Sequence, residues 1–157
     1  MVKEVTYIAM GCFWGPEYIF SKTKGVVETE VGYLGGNEKK FPQPTYKQVC
    51  SGQTGYAETV KIIFDNKKIK YGEILDIFWK NHDPTQVGGQ GVDIGSQYRS
   101  TIFYNNEKQK KVALESKKKW QKKFKGKITS EILAAKTFFK AEEYHQKYAE
   151  RTGRRVC

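Results

Sequence analysis

Runs with the two-residue period of a strand alternate along this chain with runs of helical period, which restricts it to a sheet with helices packed on it. Val5-Thr6-Tyr7-Ile8-Ala9 is apolar and β-prone, and Pro16 suits the first turn of a helix through Glu17-Tyr18-Ile19-Phe20. Gly25 ends that helix, and Val26 to Leu34 alternates like a strand until Gly35-Gly36 breaks it. Ala57 to Phe64 reads as a strand, Asp65 to Lys68 as a turn, and Tyr71 to Asn81 as a helix burying Ile74, Leu75, Phe78 and Trp79. Arg99 to Tyr104 is expected to be a strand. Asn105 or Asn106 then caps a lysine-rich helix, and Ile128 to Leu133 is expected to form a further strand. A last helix is expected over about Ala141 to Arg151, closed by Gly153. These elements predict one domain over residues 1–157 in the α+β or α/β class, read as α+β with a mixed sheet, packed helices and a ferredoxin-like βαβ core. Residues 154–157 read as a mobile C-terminal tail. Two stretches, Gly35 to Gly55 and His82 to Gln97, are rich in glycine and lack periodicity; loops of that length in a compact domain tend to be functional.

The formal charge of +11 raises the possibility of a basic nucleic-acid-binding module. Much of that charge, however, lies between Lys108 and Lys127 on one helix and the turn after it, with Val112, Trp120 and Phe124 as a narrow apolar stripe. A solvated helix face accounts for it, and no nucleic-acid or membrane partner is expected. Three cysteines cannot all pair within one chain, which fits active thiols in a reducing compartment better than a disulfide scaffold. Glu4 and Thr6 interrupt the only apolar stretch near the N-terminus, so a cytoplasmic protein is expected; it is separately expected to be a monomer.

Gly11-Cys12-Phe13-Trp14-Gly15 sits where the first strand ends and the first helix begins. Unpaired N–H groups and the macrodipole at a helix N-terminus favour thiolate over thiol. A thiol pKa near 8.5 lowered by two units takes the ionised fraction at neutral pH from roughly 3% to about three quarters. The alternative reading of Cys12 is a buried structural cysteine between two tight turns.

Taken together with Pro44-Thr45-Tyr46, Cys50-Ser51-Gly52, Gly55-Tyr56-Ala57-Glu58, Asn81-His82-Asp83-Pro84-Thr85-Gln86 and Asp93-Ile94-Gly95-Ser96-Gln97-Tyr98-Arg99-Ser100, this motif resembles the A-type peptide methionine sulfoxide reductases. The similarity runs from Met10 to about His145 with the motifs in family order. It implies a reductase acting on the S epimer of methionine sulfoxide, free or in oxidised proteins and peptides. The same resemblance makes Cys12 the nucleophile and Glu58 the proton donor to the departing oxygen, because oxide itself cannot leave. Glu58 stands in a segment of apolar and small residues, where burial raises a carboxyl pKa. Tyr46 and Tyr98 match the phenols that hydrogen-bond the sulfoxide oxygen, and Asp93 a carboxylate that orients the same network. Phe13 and Trp14 match the apolar wall that receives the sulfoxide methyl group.

Cys12 is then left as a sulfenic acid, for which the resemblance implies Cys157 as resolving thiol and thioredoxin, or dithiothreitol in its place, as reductant. Many relatives carry two recycling cysteines in a longer tail, of which this sequence has only the first, so a relay through a second tail thiol is not expected here. Cys50 matches a position that is usually not redox-active and is the other candidate for resolution. No prosthetic group is implied, and no C-x-x-C or H-x-x-x-H spacing points to a metal. His82 is expected to order its turn, and His145, on the last helix, to have a surface or supporting role. A different thiol enzyme, such as a peroxidase, is the remaining rival.

Overall fold

A computed structural model of the protein describes residues 2–156. In chain order the elements are β1 (Lys3–Met10), α1 (Trp14–Ser21), β2 (Val26–Leu34), α2 (Tyr46–Cys50), β3 (Ala57–Asp65), α3 (Tyr71–Lys80), β4 (Gly89–Gln90), β5 (Asp93–Ile94), β6 (Ser100–Tyr104), α4 (Glu107–Gln121), β7 (Glu131–Ala134), β8 (Phe139–Lys140) and α5 (Tyr148–Thr152). Six strands form one sheet in the order β7-β6-β1-β3-β2-β8, and β4 pairs with β5 as a separate hairpin. β6 and β7 run parallel while β1, β2, β3, β6 and β8 pair antiparallel, so the sheet is mixed. The central order β6-β1-β3-β2, with α1 between β1 and β2 and α3 between β3 and β6, is the expected ferredoxin-like core.

Strand register decides which side chains meet the helices. Ile8 lies opposite Val60, Val31 also opposite Val60, and Tyr33 opposite Glu58. Because side chains alternate along a strand, Glu58 shares the face of Val60, Ile62 and Phe64, all four buried. That face joins Phe13, Phe20, Ile74, Leu75, Phe78 and Trp79 in the main core. The opposite face holds a smaller cluster, Ala9, Leu34, Ala57 and Phe103, covered by Ala135 and Phe138.

α4 turns Ala113, Ser116 and Trp120 inward and its lysines outward. Two indoles tie the helical layer together, with Trp79 Nε1 donating to Ser116 Oγ at 2.8 Å and Trp120 Nε1 to Asp76 Oδ1 at 2.8 Å. Asn106 caps α4, its side chain accepting from the Gln109 N–H. No helix among the described residues is long and apolar enough to cross a membrane.

Four expectations need correction. The long loop after β2 contains α2, started by a reciprocal capping box between Thr45 and Gln48. The glycine-rich loop after α3 contains β4, β5 and a 3-10 turn, Ser96–Tyr98. The strand expected over Ile128 to Leu133 is the shorter β7, shifted toward the C-terminus. The helix expected over Ala141 to Arg151 is instead a 3-10 turn, Glu143–His145, followed by α5. The break falls at Lys147, whose φ of 56° is left-handed. Tertiary bonding holds it there: the Glu17 carboxylate, buried in α1, accepts the Lys147 N–H at 2.7 Å and its ammonium at 3.0 Å. Helical periodicity over 141–151 is outvoted by one buried carboxylate. Residues 154–156, the described part of the tail, run along α1, with the Arg155 guanidinium 4.2 Å over the Tyr18 ring.

Candidate active site

β1 ends at Met10, and Gly11, at φ 101°, turns the chain so that Cys12 and Phe13 lead into α1. Phe13 is the N-cap, which puts Cys12 one residue before the first orphan amides of the helix. Cys12 is buried and disulfide-bonded. It lines a cavity of about 250 Å³ together with Met10, His82, Gln90, Asp93 and the tail residues Arg155 and Val156. Cys157 lies outside the described residues.

Glu58 reaches the same junction from β3. Its Oε1 accepts the Phe13 N–H at 3.2 Å, while Oε2 is buried without a hydrogen-bond partner among the described residues. Burial pushes its carboxyl up to about 8, the Phe13 N–H pulls it down, and the negative charge of Asp93 raises it further. At neutral pH Glu58 is therefore mostly a carboxylic acid. Its field also reaches both tyrosines singled out from the sequence. Burial and then Glu58 raise the Tyr46 phenol, and the same two causes, in the same order, raise Tyr98. Tyr46 starts α2 rather than lying in a loop, and Tyr98 closes the 3-10 turn after the hairpin. The fold thus brings Cys12, Glu58, Tyr46, Tyr98 and Asp93 to one end of the sheet.

Phe13 is fully buried and Trp14 nearly so. The Phe13 ring packs against Tyr33 at 5.9 Å and His145 at 5.3 Å, and Trp14 stacks on Tyr148 at 4.0 Å. The Arg154 guanidinium lies 5.8 Å from the Trp14 ring, so the tail lies close to this apolar wall.

Sequence reasoning missed two members. His145 is not a surface residue: it is fully buried, and its Nδ1 accepts the Trp14 Nε1–H at 3.0 Å. That bond leaves the proton of the neutral ring on Nε2, which is buried with no partner among the described residues, and burial lowers the ring's pKa. Glu142 accepts the Tyr33 hydroxyl at 2.8 Å and the Tyr46 N–H at 2.9 Å, pinning α2 to the site. Burial raises the Glu142 carboxyl, but these hydrogen bonds outweigh it and hold the group below the ordinary carboxylate range. Only the aromatic company of Glu142-Glu143-Tyr144-His145 in the sequence signals their role.

His82 holds its turn as expected, with Nδ1 2.6 Å from the Phe78 carbonyl and Nε2 2.7 Å from Ser100 Oγ. Burial depresses its pKa to about 4, so it stays neutral beside Cys12. Cys50 is a free thiol hydrogen-bonded to Tyr46, and burial raises its pKa. No cluster of three or more His, Cys, Asp or Glu able to hold a metal ion occurs among the described residues.

The family model described as peptide methionine sulfoxide reductase matches residues 4–157. Over 152 residues the chain is 52% identical to the "Peptide methionine sulfoxide reductase MsrA" of Methanosarcina acetivorans, covering 96% of this chain and 79% of that protein. Among solved structures it resembles Saccharomyces cerevisiae Mxr1 in reduced form, with a TM-score of 0.94 and 37% identity over 99% of this chain and 88% of the other. It also resembles Mxr1 in complex with Trx2, with a TM-score of 0.65 and 27% identity over 94% and 85% of the two chains. With a buried carboxylic acid beside a cysteine at a helix start, and with this similarity along nearly its whole length, the chain belongs to the peptide methionine sulfoxide reductase family, enzymes that reduce methionine sulfoxide.

Proposed function

We propose that Cys12 is the nucleophile and Glu58 the acid with which this enzyme reduces the S epimer of methionine sulfoxide in peptides and proteins. The Cys12 thiolate attacks the sulfoxide sulfur. The oxygen takes a proton from Glu58 and passes to Cys12 as a sulfenic acid, and methionine leaves. Tyr46 and Tyr98 donate hydrogen bonds to the oxygen as charge gathers on it, Asp93 orients that side of the pocket, and Phe13 and Trp14 receive the methyl group. The Cys157 thiol then displaces the sulfenic hydroxyl as water and forms a disulfide, which a thioredoxin dithiol reduces. The approach of Arg155 and Val156 to the Cys12 cavity supports that role for the tail, as does the free state of Cys50. Residues 1–157 act as one catalytic domain, a monomer working without a prosthetic group in the reducing cytoplasm.

The observation that carries this reading is the Glu58 carboxyl, buried, held protonated to about pH 8, with one oxygen bound to the residue after Cys12 and the other unengaged. Cys12→Ser is expected to abolish turnover with any reductant. Glu58→Gln is expected to slow single-turnover sulfoxide reduction by about 10²-fold or more at pH 7 and to remove a tenfold loss per pH unit above about 8. An unchanged profile removes Glu58 from the acid role. The same substitution has a second readout. Between the ordinary carboxylate value of 4.5 and about 8 the folded protein holds a proton that the unfolded chain has released. The wild type therefore loses stability as pH rises through that window, and Glu58→Gln flattens the loss.

A further inference from the structure

Building on that sulfoxide chemistry, we propose that the β4–β5 hairpin is a docking surface for the polypeptide carrying the oxidised methionine, and that it favours segments with apolar residues on either side of it. Polarity in this loop is inverted. Val87, Val92 and Ile94 are 79%, 95% and 68% exposed. The neighbouring glutamines fold back onto the loop's own backbone: Gln86 binds Gly91 through both its carbonyl and its amide, and Gln90 does the same to Asp83. A loop whose polar groups are spent on its own backbone holds its aliphatic side chains out in a fixed arrangement. Pro84 to Val92 contains no charged residue, in a chain of net charge +11.

Position identifies the occupant. Gln90 and Asp93 line the Cys12 cavity, whereas Val87 and Gly88 line a second cavity of about 490 Å³ that extends to Arg99 and Glu131. A sulfoxide side chain entering the first cavity from an extended polypeptide brings its neighbours over the exposed valines and Ile94, toward the second. A free amino acid meets the first cavity only. A reductant of the disulfide meets the tail, where Arg154 and Arg155 are charged, so an uncharged aliphatic surface fits the substrate chain better. Oxidised segments with aliphatic neighbours are those that leave a protein core when it unfolds.

The test compares full-length wild type with Val87→Ser/Val92→Ser and, as an apolar control, Val87→Leu/Val92→Leu, with dithiothreitol as reductant and, in a second arm, thioredoxin. The substrates are N-acetylmethionine S-sulfoxide and five-residue peptides in which methionine S-sulfoxide is flanked by valine and leucine or by two serines. Wild type and the leucine variant are expected to prefer the aliphatic peptide in kcat/KM by roughly 5-fold, and the serine variant to lose that preference while reducing N-acetylmethionine S-sulfoxide within about twofold of wild type. No preference in wild type, or one retained in the serine variant, overturns the proposal. A rise in the KM for thioredoxin with peptide kinetics unchanged also overturns it, and assigns the surface to the reductant. Turnover of the small sulfoxide reports on the underlying reaction separately.

Discussion

The loop from Gly35 to Tyr56 and the loop from Asp83 to Tyr98 both connect core elements at the active-site end, yet they are immobilised differently. The first is tied down from outside. Glu142 takes the Tyr46 N–H at 2.9 Å, and the Glu38 carboxylate accepts the Thr137 N–H at 3.2 Å. The second is tied mainly to itself through Gln86 and Gln90, with Thr129 adding a bond to the Pro84 carbonyl. A loop braced by distant segments can place a phenol accurately but stakes fold stability on those braces. A loop braced by its own glutamines can present a surface and be altered at little cost to the fold.

Glu142→Ala tests the first half of that contrast and is expected to have the largest effect. It leaves the Tyr33 hydroxyl and the Tyr46 N–H without acceptors, costing about 2 kcal/mol of stability, or roughly 5 °C in Tm by calorimetry. Reduction of every sulfoxide, small or peptidic, should fall about tenfold or more as Tyr46 loses its anchor. A variant with wild-type Tm would show that α2 is held by its capping box alone. Gln90→Ala tests the second half. Its bonds are exposed, so Tm should move by less than about 2 °C, while kcat/KM falls roughly 3-fold to 5-fold because Asp93, its partner across the hairpin, loses support. A large loss of Tm would erase the distinction between the loops. Cys50→Ala should do least, changing kcat/KM by less than about twofold, since a thiol bound to a phenol is a weak brace. Lost multiple turnover with thioredoxin as sole reductant would instead make Cys50 the resolving residue.

Where local chemistry and tertiary structure agree, the sequence was legible. The turn at Gly11 and the helix start at Phe13 follow from a β-prone run meeting Pro16, and the burial of Glu58 follows from its apolar and small neighbours. The capping pattern Thr45-x-x-Gln48 was equally present, but the prolines and glycines around it masked a helix of five residues. The segment from Ala141 onward was not legible. Its helical period is genuine, yet Lys147 obeys Glu17, which lies 130 positions away in sequence. Losing that helix also hid His145 and Glu142, whose roles depend on a chain direction set by the bonds between Lys147 and the buried Glu17 carboxylate. Such long-range capture leaves no periodic trace in the residues it bends.

Gly15 shows how the tail and the nucleophile share one helix turn. A β-carbon placed there would stand 2.9 Å from the Arg155 carbonyl oxygen, too close for the backbone to stay where it is. The missing side chain is thus a berth, kept open for an incoming strand of the same molecule. A single added methyl at that berth would hinder the tail's arrival, and so slow the regeneration that follows oxygen transfer.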